Sequence, residues 1–584
     1  MEWNLKLIYE SNDLFYEDLN KIDSLGDEIL KLKGTLNTFD GYKEYAKLSL
    51  ELDKTISKAY TYASMKYDLD QRNSDSEKDY ANIYNKYNNA MAKISWVDPE
   101  LLKVGENKLN EFIDKDPELK PNKQAIKTLF RLNKYVLDEK SEAIIANAEE
   151  AFGKFNDLYD KICVVDQKPV TVKISTGEKI TVNTSNYTNY LRTLKNQKDR
   201  KKVFEAFYSY YDNHKATLAT VYDGILSSEN AIAKSRGYKS ILDMHLYPNA
   251  IDEEVYNTLV KTAKNNTAPL KRYLKLRKKV LGLKSYHTYD RLQSLSTSDK
   301  KYSFEEAKRL VIEADKFMGE DFDKKAEFVL SEGRVTVDAK DGKRTGAYST
   351  STYENGPFIL LNHNGSLNDV FTIAHEAGHS IHTCYSNESQ PYQLADYRIF
   401  VAEIASTLNE QVLLDYMLKN ITDKNEKIVL LEESIDGLVS TFYRQIVFAD
   451  YELEAHKLKE EGTPITALVL SDIMKNLYKK YYGLDLSKEE LKQYVWAYIP
   501  HMFHSPFYVY QYATSIAASL AIYTDIKNNK EGAFDRYIEL LRSGSADYPV
   551  ELVKKAGVDL TKKDAYLSLI NRIDELVNEL EKLF

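Results

Sequence analysis

Cysteine is nearly absent: there are two in 584 residues, Cys163 and Cys384. That scarcity excludes a disulfide-rich scaffold and fits a reducing compartment where thiols stay free, so a cytoplasmic location is expected. Neither cysteine sits in a CxxC pair, so a bound metal would have to rest on histidine and carboxylate ligands. Long apolar runs are missing too. No stretch nears the roughly 20 consecutive apolar residues of a membrane span. The opening MEWNLKLIYESNDLFYEDL is acidic and broken by charge, so neither a signal peptide nor a membrane anchor is expected. The net charge of -9 is spread over many Lys and Glu residues without a basic block. Nucleic acid is therefore not an expected partner.

What is present is a globular mixture, 43% hydrophobic and 29% charged, which has enough apolar surface to fold. A chain this long exceeds one hydrophobic core, since cores stop growing at about 250–300 residues, so two or more subdomains must share the burial. Apolar residues recur every three or four positions from Leu14 to about Phe155, and this spacing predicts a run of amphipathic helices. Around 168–184 the text KPVTVKISTGEKITVNT alternates β-branched and polar residues about a Gly-containing turn, which predicts a hairpin. That hairpin marks a seam between an N-terminal helical region, 1–185, and a second region, 186–584. Helical periodicity returns from Tyr187 to about Leu330. The segment RVTVDAKDGKRTGAYSTSTYENGPFILLNHNG then predicts a small sheet, and from Leu367 onward the pattern is helical again. The expected fold class is mainly α with a small β-sheet.

The segment DVFTIAHEAGHSIHT carries His375, Glu376 and His379 in an apolar-periodic stretch. One helical turn separates the two histidines, so both imidazoles can reach one ion from the same face. Glu376 points to the side of that pair, where a carboxylate can hold a water and take its proton. A catalytic zinc site of the His2Glu kind needs a third ligand from a second helix. DYRIFVAEIASTLNEQVLLDYML reads as that helix, with Glu403 early on its buried face and Glu410 two turns later, placed to orient a ligand histidine. HExxH patterns also arise by chance on helices. Here the apolar setting, the room left by Gly378 and the following helix with an inward Glu favour a metal site. His382 and Cys384 are read as structural, Cys384 as a small buried hydrophobe.

Two further segments are candidates. Tyr498–Tyr512 is rich in polar-tipped rings, and His501, Tyr508 and Tyr512 could donate to an oxyanion formed during peptide hydrolysis. With 45 tyrosines in the chain, ordinary core lining is the alternative. Gly346, Ala347 and Tyr348 lie in the strand-rich text upstream of the metal helix, where an extended edge could receive a peptide as an added strand. On sequence alone they are simply a turn.

GKRTGAYSTSTYENGPFILLNHNGSLNDVFTIAHEAGHSIH, FVAEIASTLNE, TFYRQIVFADYE, IPHMFHSPFYVYQYATS and GSADYPVELVKKAGVD, in that order, resemble the motifs of the oligoendopeptidase F group of thimet-oligopeptidase-like zinc metallopeptidases. The looser N-terminal likeness extends the resemblance to nearly the whole chain. It implies a multi-helix, two-part shell enclosing a deep channel, with one Zn2+ per chain and oligopeptide substrates. His375, His379 and Glu403 fall on the family's metal positions, Glu376 on its catalytic base, and His501, Tyr508 and Tyr512 on or near its transition-state donors. Residues 186–584 would then form the catalytic domain. His504 stands where relatives more often carry an aromatic residue, so either histidine could be the donor; His501 is favoured because it follows Pro500. Rival readings are a silent peptide-binding scaffold, disfavoured because all four key residues are present, and an exopeptidase using the same zinc set. Cleavage preference and oligomeric state are not legible.

Overall fold

The apolar spacing of the N-terminal third folds into three long helices, α1 (Asn12–Lys31), α2 (Phe39–Leu69) and α3 (Ser74–Ile94). Thr38 caps α2 and Asn73 caps α3, each accepting a backbone N–H of the first turn, which supplies partners to donors that the helix itself leaves unpaired. The computed structural model describes residues 1–584. Beyond α3 the chain is mostly helical. Helices used below are α4 (Gln197–Arg236), α5 (Leu367–Ser389), α6 (Ile399–Asn420), α7 (Lys424–Val439) and α8 (Gln445–Glu460).

The expected hairpin is present as β1 (Val170–Lys173) and β2 (Lys179–Val182), paired antiparallel with Val170 opposite Val182. The expected sheet has three strands, β3 (Val335–Asp338), β4 (Tyr348–Thr352) and β5 (Gly356–His363), in the order β3-β5-β4. β5 runs parallel to β3 and antiparallel to β4, so β4 is an edge strand. The central strand is buried continuously from Pro357 to Leu361, as expected of a strand covered on both faces. Phe358 and Leu360 join the apolar core of α1–α3, which leaves the alternate Ile359 and Leu361 on the opposite face, where α5 packs.

The chain divides into two compact units. The first comprises Met1–Lys134, Lys300–Lys419 and Ile522–Gly557; the second comprises Tyr135–Asp299, Asn420–Ala521 and Val558–Phe584. The first holds α1–α3, the three-stranded sheet, α5 and α6. The second holds the hairpin, α4, α7 and α8. Its α4 is 40 residues long, capped by Asn196 and closed by Gly237 in the left-handed region, where the absence of a Cβ removes the steric cost.

The helical pattern expected through Leu330 is interrupted between Gly282 and Ser303, which hold only a short 3-10 turn at Thr288–Asp290. Polar anchors to distant residues hold this stretch in an irregular path. Asp290 pairs with the buried Arg200, the Leu295 N–H donates to Glu432, and the Thr288 N–H donates to Glu489. Such partners satisfy the backbone without a helix.

Candidate active site and metal centre

α5 starts at a capping box: Ser366 Oγ accepts from the Asp369 N–H at 3.2 Å, and the Asp369 carboxylate accepts from the Ser366 N–H at 2.8 Å. Two turns on, His375 and His379 turn their Nε2 atoms to within 3.2 Å of each other. α6 supplies Glu403, whose carboxylate lies 3.5 Å from His375 Nε2 and 3.9 Å from His379 Nε2. Gly378 is what lets the two helices meet. A Cβ there would stand 2.7 Å from Ser406 Cα and 2.8 Å from the Ala405 carbonyl oxygen, so the helices touch backbone to backbone. The Asn409 side-chain amide, fully buried, donates to the Ala374 carbonyl at 2.9 Å and fixes their register.

Glu410 accepts from His375 Nδ1 at 2.6 Å, so the Nε2 of that ring is the atom turned inward, free to ligate once its proton leaves. The Ala402 backbone steadies the His379 ring. Ligands bound to tetrahedral zinc at about 2.0–2.1 Å lie roughly 3.3 Å apart. The spacings here approach that value, and all three ligand atoms fall within 4.8 Å of one another. Two imidazole nitrogens facing each other this closely need a proton or a cation between them, and a His2Glu donor set suits zinc.

The charges agree with that need. Burial pulls the two imidazoles down, but Glu410, with Glu376 and Glu403, outweighs it at His375 and raises it to about 9. At His379 burial wins, helped by the neighbouring His375 and His382, and lowers it to about 3. Glu376 is 7% exposed. Burial pushes its carboxyl up to about 7, opposed by His375 and by the Ser349 N–H of β4, which it accepts. A buried carboxyl near neutrality beside a metal-ligand set suits proton transfer.

The bystanders on α5 behave as packing. His382 is fully buried and stacks on Tyr397, with ring centroids 3.7 Å apart and planes 11° apart. Burial pushes it down to about 3, so it is a neutral ring. Tyr397 in turn donates to the His379 carbonyl at 3.2 Å. Cys384 is buried and its thiol pushed up to about 12, which leaves it unreactive.

Gly346 stands just before β4 with φ +84, and a Cβ built on it would meet nothing within 4 Å. Its carbonyl accepts from the Asn362 amide at 2.7 Å. Ala347 follows, half-buried, and Tyr348 opens β4 with its hydroxyl donating to Asp68 on α2 at 2.7 Å. The strand edge that carries these residues therefore runs on to the Ser349 N–H that Glu376 accepts.

In the second unit, the rings of His501, Tyr508 and Tyr512 form one cluster, with centroids 5.5–6.4 Å apart. His501 stands on the wall of an open cleft of about 480 Å³, and burial, with His504 adding to it, lowers its pKa. His504 turns elsewhere, its Nε2 lying 2.9 Å from Asp160. Phe507, just before Tyr508, has φ +53 and donates its N–H to the buried Glu452 at 2.9 Å.

Residues 190–572 match the description of peptidase family M3, and residues 100–167 that of oligopeptidase F. The chain belongs to peptidase family M3. Within it the likeness is to the oligoendopeptidase F group. Identity is 34% over 583 residues to oligopeptidase PepF of Bacillus subtilis (strain 168), covering 100% of this chain and 87% of that one. It is 35% over 586 residues to the oligoendopeptidase F homolog of Borreliella burgdorferi, covering 100% and 98%. A crystal structure from Chlamydophila abortus matches with a TM-score of 0.93 and 31% identity over 100% of this chain and 98% of that one. This M3 peptidase is a zinc metallopeptidase with the HExxH histidine pair and a downstream glutamate.

Sequence reading missed three supports of the M3 site. The Ala402 backbone and the Ser349 N–H have no side-chain signature. Asn409 is an amide on α6 beside Glu410, one of several polar side chains in TLNEQ, so nothing in the sequence singled it out.

Proposed function

We propose that this M3 peptidase holds one zinc ion per chain on His375, His379 and Glu403 and hydrolyses internal bonds of oligopeptides, with Glu376 as general base and then general acid. The observation that carries the reading is the convergence of three ligand atoms within 4.8 Å beside a buried carboxyl near pH 7. Zinc, when bound, supplies Lewis acidity and lowers the pKa of a water to about 7.

Glu376 accepts the proton of the attacking water and later delivers it to the leaving amine, so no acyl-enzyme forms. His501, Tyr508 and Tyr512 donate to the carbonyl oxygen as negative charge builds on it. His501 is preferred over His504 because Asp160 engages the latter. The peptide backbone lies along Gly346, Ala347 and Tyr348, a reading supported by the edge position of β4, the open space at Gly346 and the contact of Ser349 with Glu376. All of these residues belong to 186–584, the region we assign the chemistry. Two buried free thiols support a cytoplasmic location. No helix is long and apolar enough to cross a membrane, and the absence of a basic block argues against nucleic acid as a partner.

Digestion of a doubly blocked, internally quenched oligopeptide tests this. Cleavage lost on chelation and restored by zinc is expected, and it separates an endopeptidase from exopeptidases. A varied peptide set left uncut by zinc-loaded protein would overturn the reading.

A further inference from the structure

Beside the cleft that holds His501, the second unit contains a smaller cavity of about 100 Å³. The two share Ser440, Arg444 and Tyr498 as lining. Ser440 and Arg444 are the ends of a five-residue π-helical turn between α7 and α8, a local widening of the helix that often marks functional sites. Seven tyrosines line the inner cavity together with four basic side chains: Arg277, which pairs with Glu432, and Arg291, Arg444 and Lys492.

The last three have no carboxylate paired with them. Arg444 lies over the Phe448 ring, 5.3 Å from its centroid, and neither it nor Arg291 has a carboxylate within ion-pairing reach. Lys492 donates to the Tyr208 hydroxyl at 2.7 Å and sits over that ring and the ring of Tyr478. The one acid in the lining, Asp436, is engaged by Tyr273 at 2.8 Å and by Arg277 at 3.6 Å. Glu489 nearby is held by His287 and Thr288. The Tyr286 hydroxyl, also in the lining, is buried without a partner. Burial, with Arg444 and Arg291 adding to it, pushes the Lys492 ammonium well down. Guanidinium charges gathered in a partly enclosed space without a paired anion are costly, and an anion entering it would relieve that cost.

We propose that this cavity is a carboxylate-binding subsite for the peptide substrate, with Arg291 and Arg444 as its principal donors and Lys492 beside them. The carboxylate is an acidic side chain or the free C-terminus. The tyrosine walls would pack the adjoining apolar part of the peptide, and fixed guanidinium groups suit a carboxylate geometrically. This rests on the oligopeptidase reading above.

The test is kinetics of the zinc-loaded protein on four versions of one quenched peptide, carrying an internal Glu or Gln and a C-terminal acid or amide. One of the two neutralisations should lower kcat/KM roughly tenfold or more, through KM, as hydrogen bonds between charged groups predict. Which one it is identifies the source. In R291Q/R444Q the discrimination should vanish, and in R291K/R444K part of it should return. Indifference of the wild type to both carboxylates, or discrimination that survives R291Q/R444Q, overturns the proposal. If no peptide is cut, the oligopeptidase reading fails instead. Calorimetric titration with an acetylated tripeptide acid, its amide and inorganic phosphate then still decides the subsite. Binding of the acid alone, lost in R291Q/R444Q, supports it; binding of phosphate alone, or of nothing, overturns it.

Discussion

Glu376 and Glu410 are both carboxylates on the metal-ligand faces, yet their surroundings give them opposite work. Glu376 is buried against β4 and raised to about 7, whereas Glu410 spends itself on His375 Nδ1. Replacing Glu376 by Gln should cut kcat by about 10²–10⁴ while zinc stays bound; metal analysis of the purified variant checks the second half, and zinc loss would count against the assignment. Glu410→Gln should instead weaken zinc retention by roughly 10–100-fold, read by competition with a chelator. With His375 raised to about 9, a proton sits there at neutral pH and must leave when zinc binds. Zinc affinity should therefore fall as pH drops below about 9, and calorimetry in buffers of different ionisation enthalpy should register about one proton released at pH 7.

At the scale of elements, one substitution at two glycines should have opposite signs. Gly378→Ala drives a methyl into Ser406 Cα and the Ala405 carbonyl, backbone atoms that cannot move without parting α5 from α6, so Glu403 withdraws and zinc is lost. Gly437→Ala sits exposed in α7 with nothing within 4 Å and should stabilise by about 0.5–1 kcal/mol, since helix interiors favour Ala over Gly. Thermal melts with and without zinc separate the two. Gly378 was legible as leaving room, but the sequence did not say against what. That depended on α6 arriving at Ser406, a contact 28 positions away along the chain.

The whole molecule carries a pH dependence that no single motif announces. Glu452 is fully buried and burial raises it to about 8, opposed by the Phe507 N–H it accepts; its other oxygen has no partner. The folded chain thus binds this proton more tightly than the unfolded chain does. Its contribution is fully present below the unfolded value of about 4.5 and is lost as pH rises through about 8. Glu452→Gln keeps an acceptor for Phe507 and removes the titration. It should be more stable than wild type by on the order of a few kcal/mol at pH 8, with the gap closing toward pH 4. Denaturant midpoints across that range check it, and a constant gap would sink the argument.

The sequence by itself determined the His375, His379 and Glu403 cluster and the mostly helical character, because side-chain type and a period of 3.6 are local properties. His375, His379 and Glu403 converge as the pattern predicts, and β4 and β5 lie where the alternating text put them. Tertiary structure decided the rest. It assigned His504 to Asp160, gave the orienting contacts to the Ala402 and Ser349 backbones, interrupted the helices after Gly282, and wove each compact unit from three separate stretches of chain. It also gathered Arg291, Arg444 and Lys492 around one cavity from positions far apart in the chain. Backbone atoms look alike in every residue, and contacts between distant positions are set by how whole elements pack, so neither leaves a mark that a window of sequence can show.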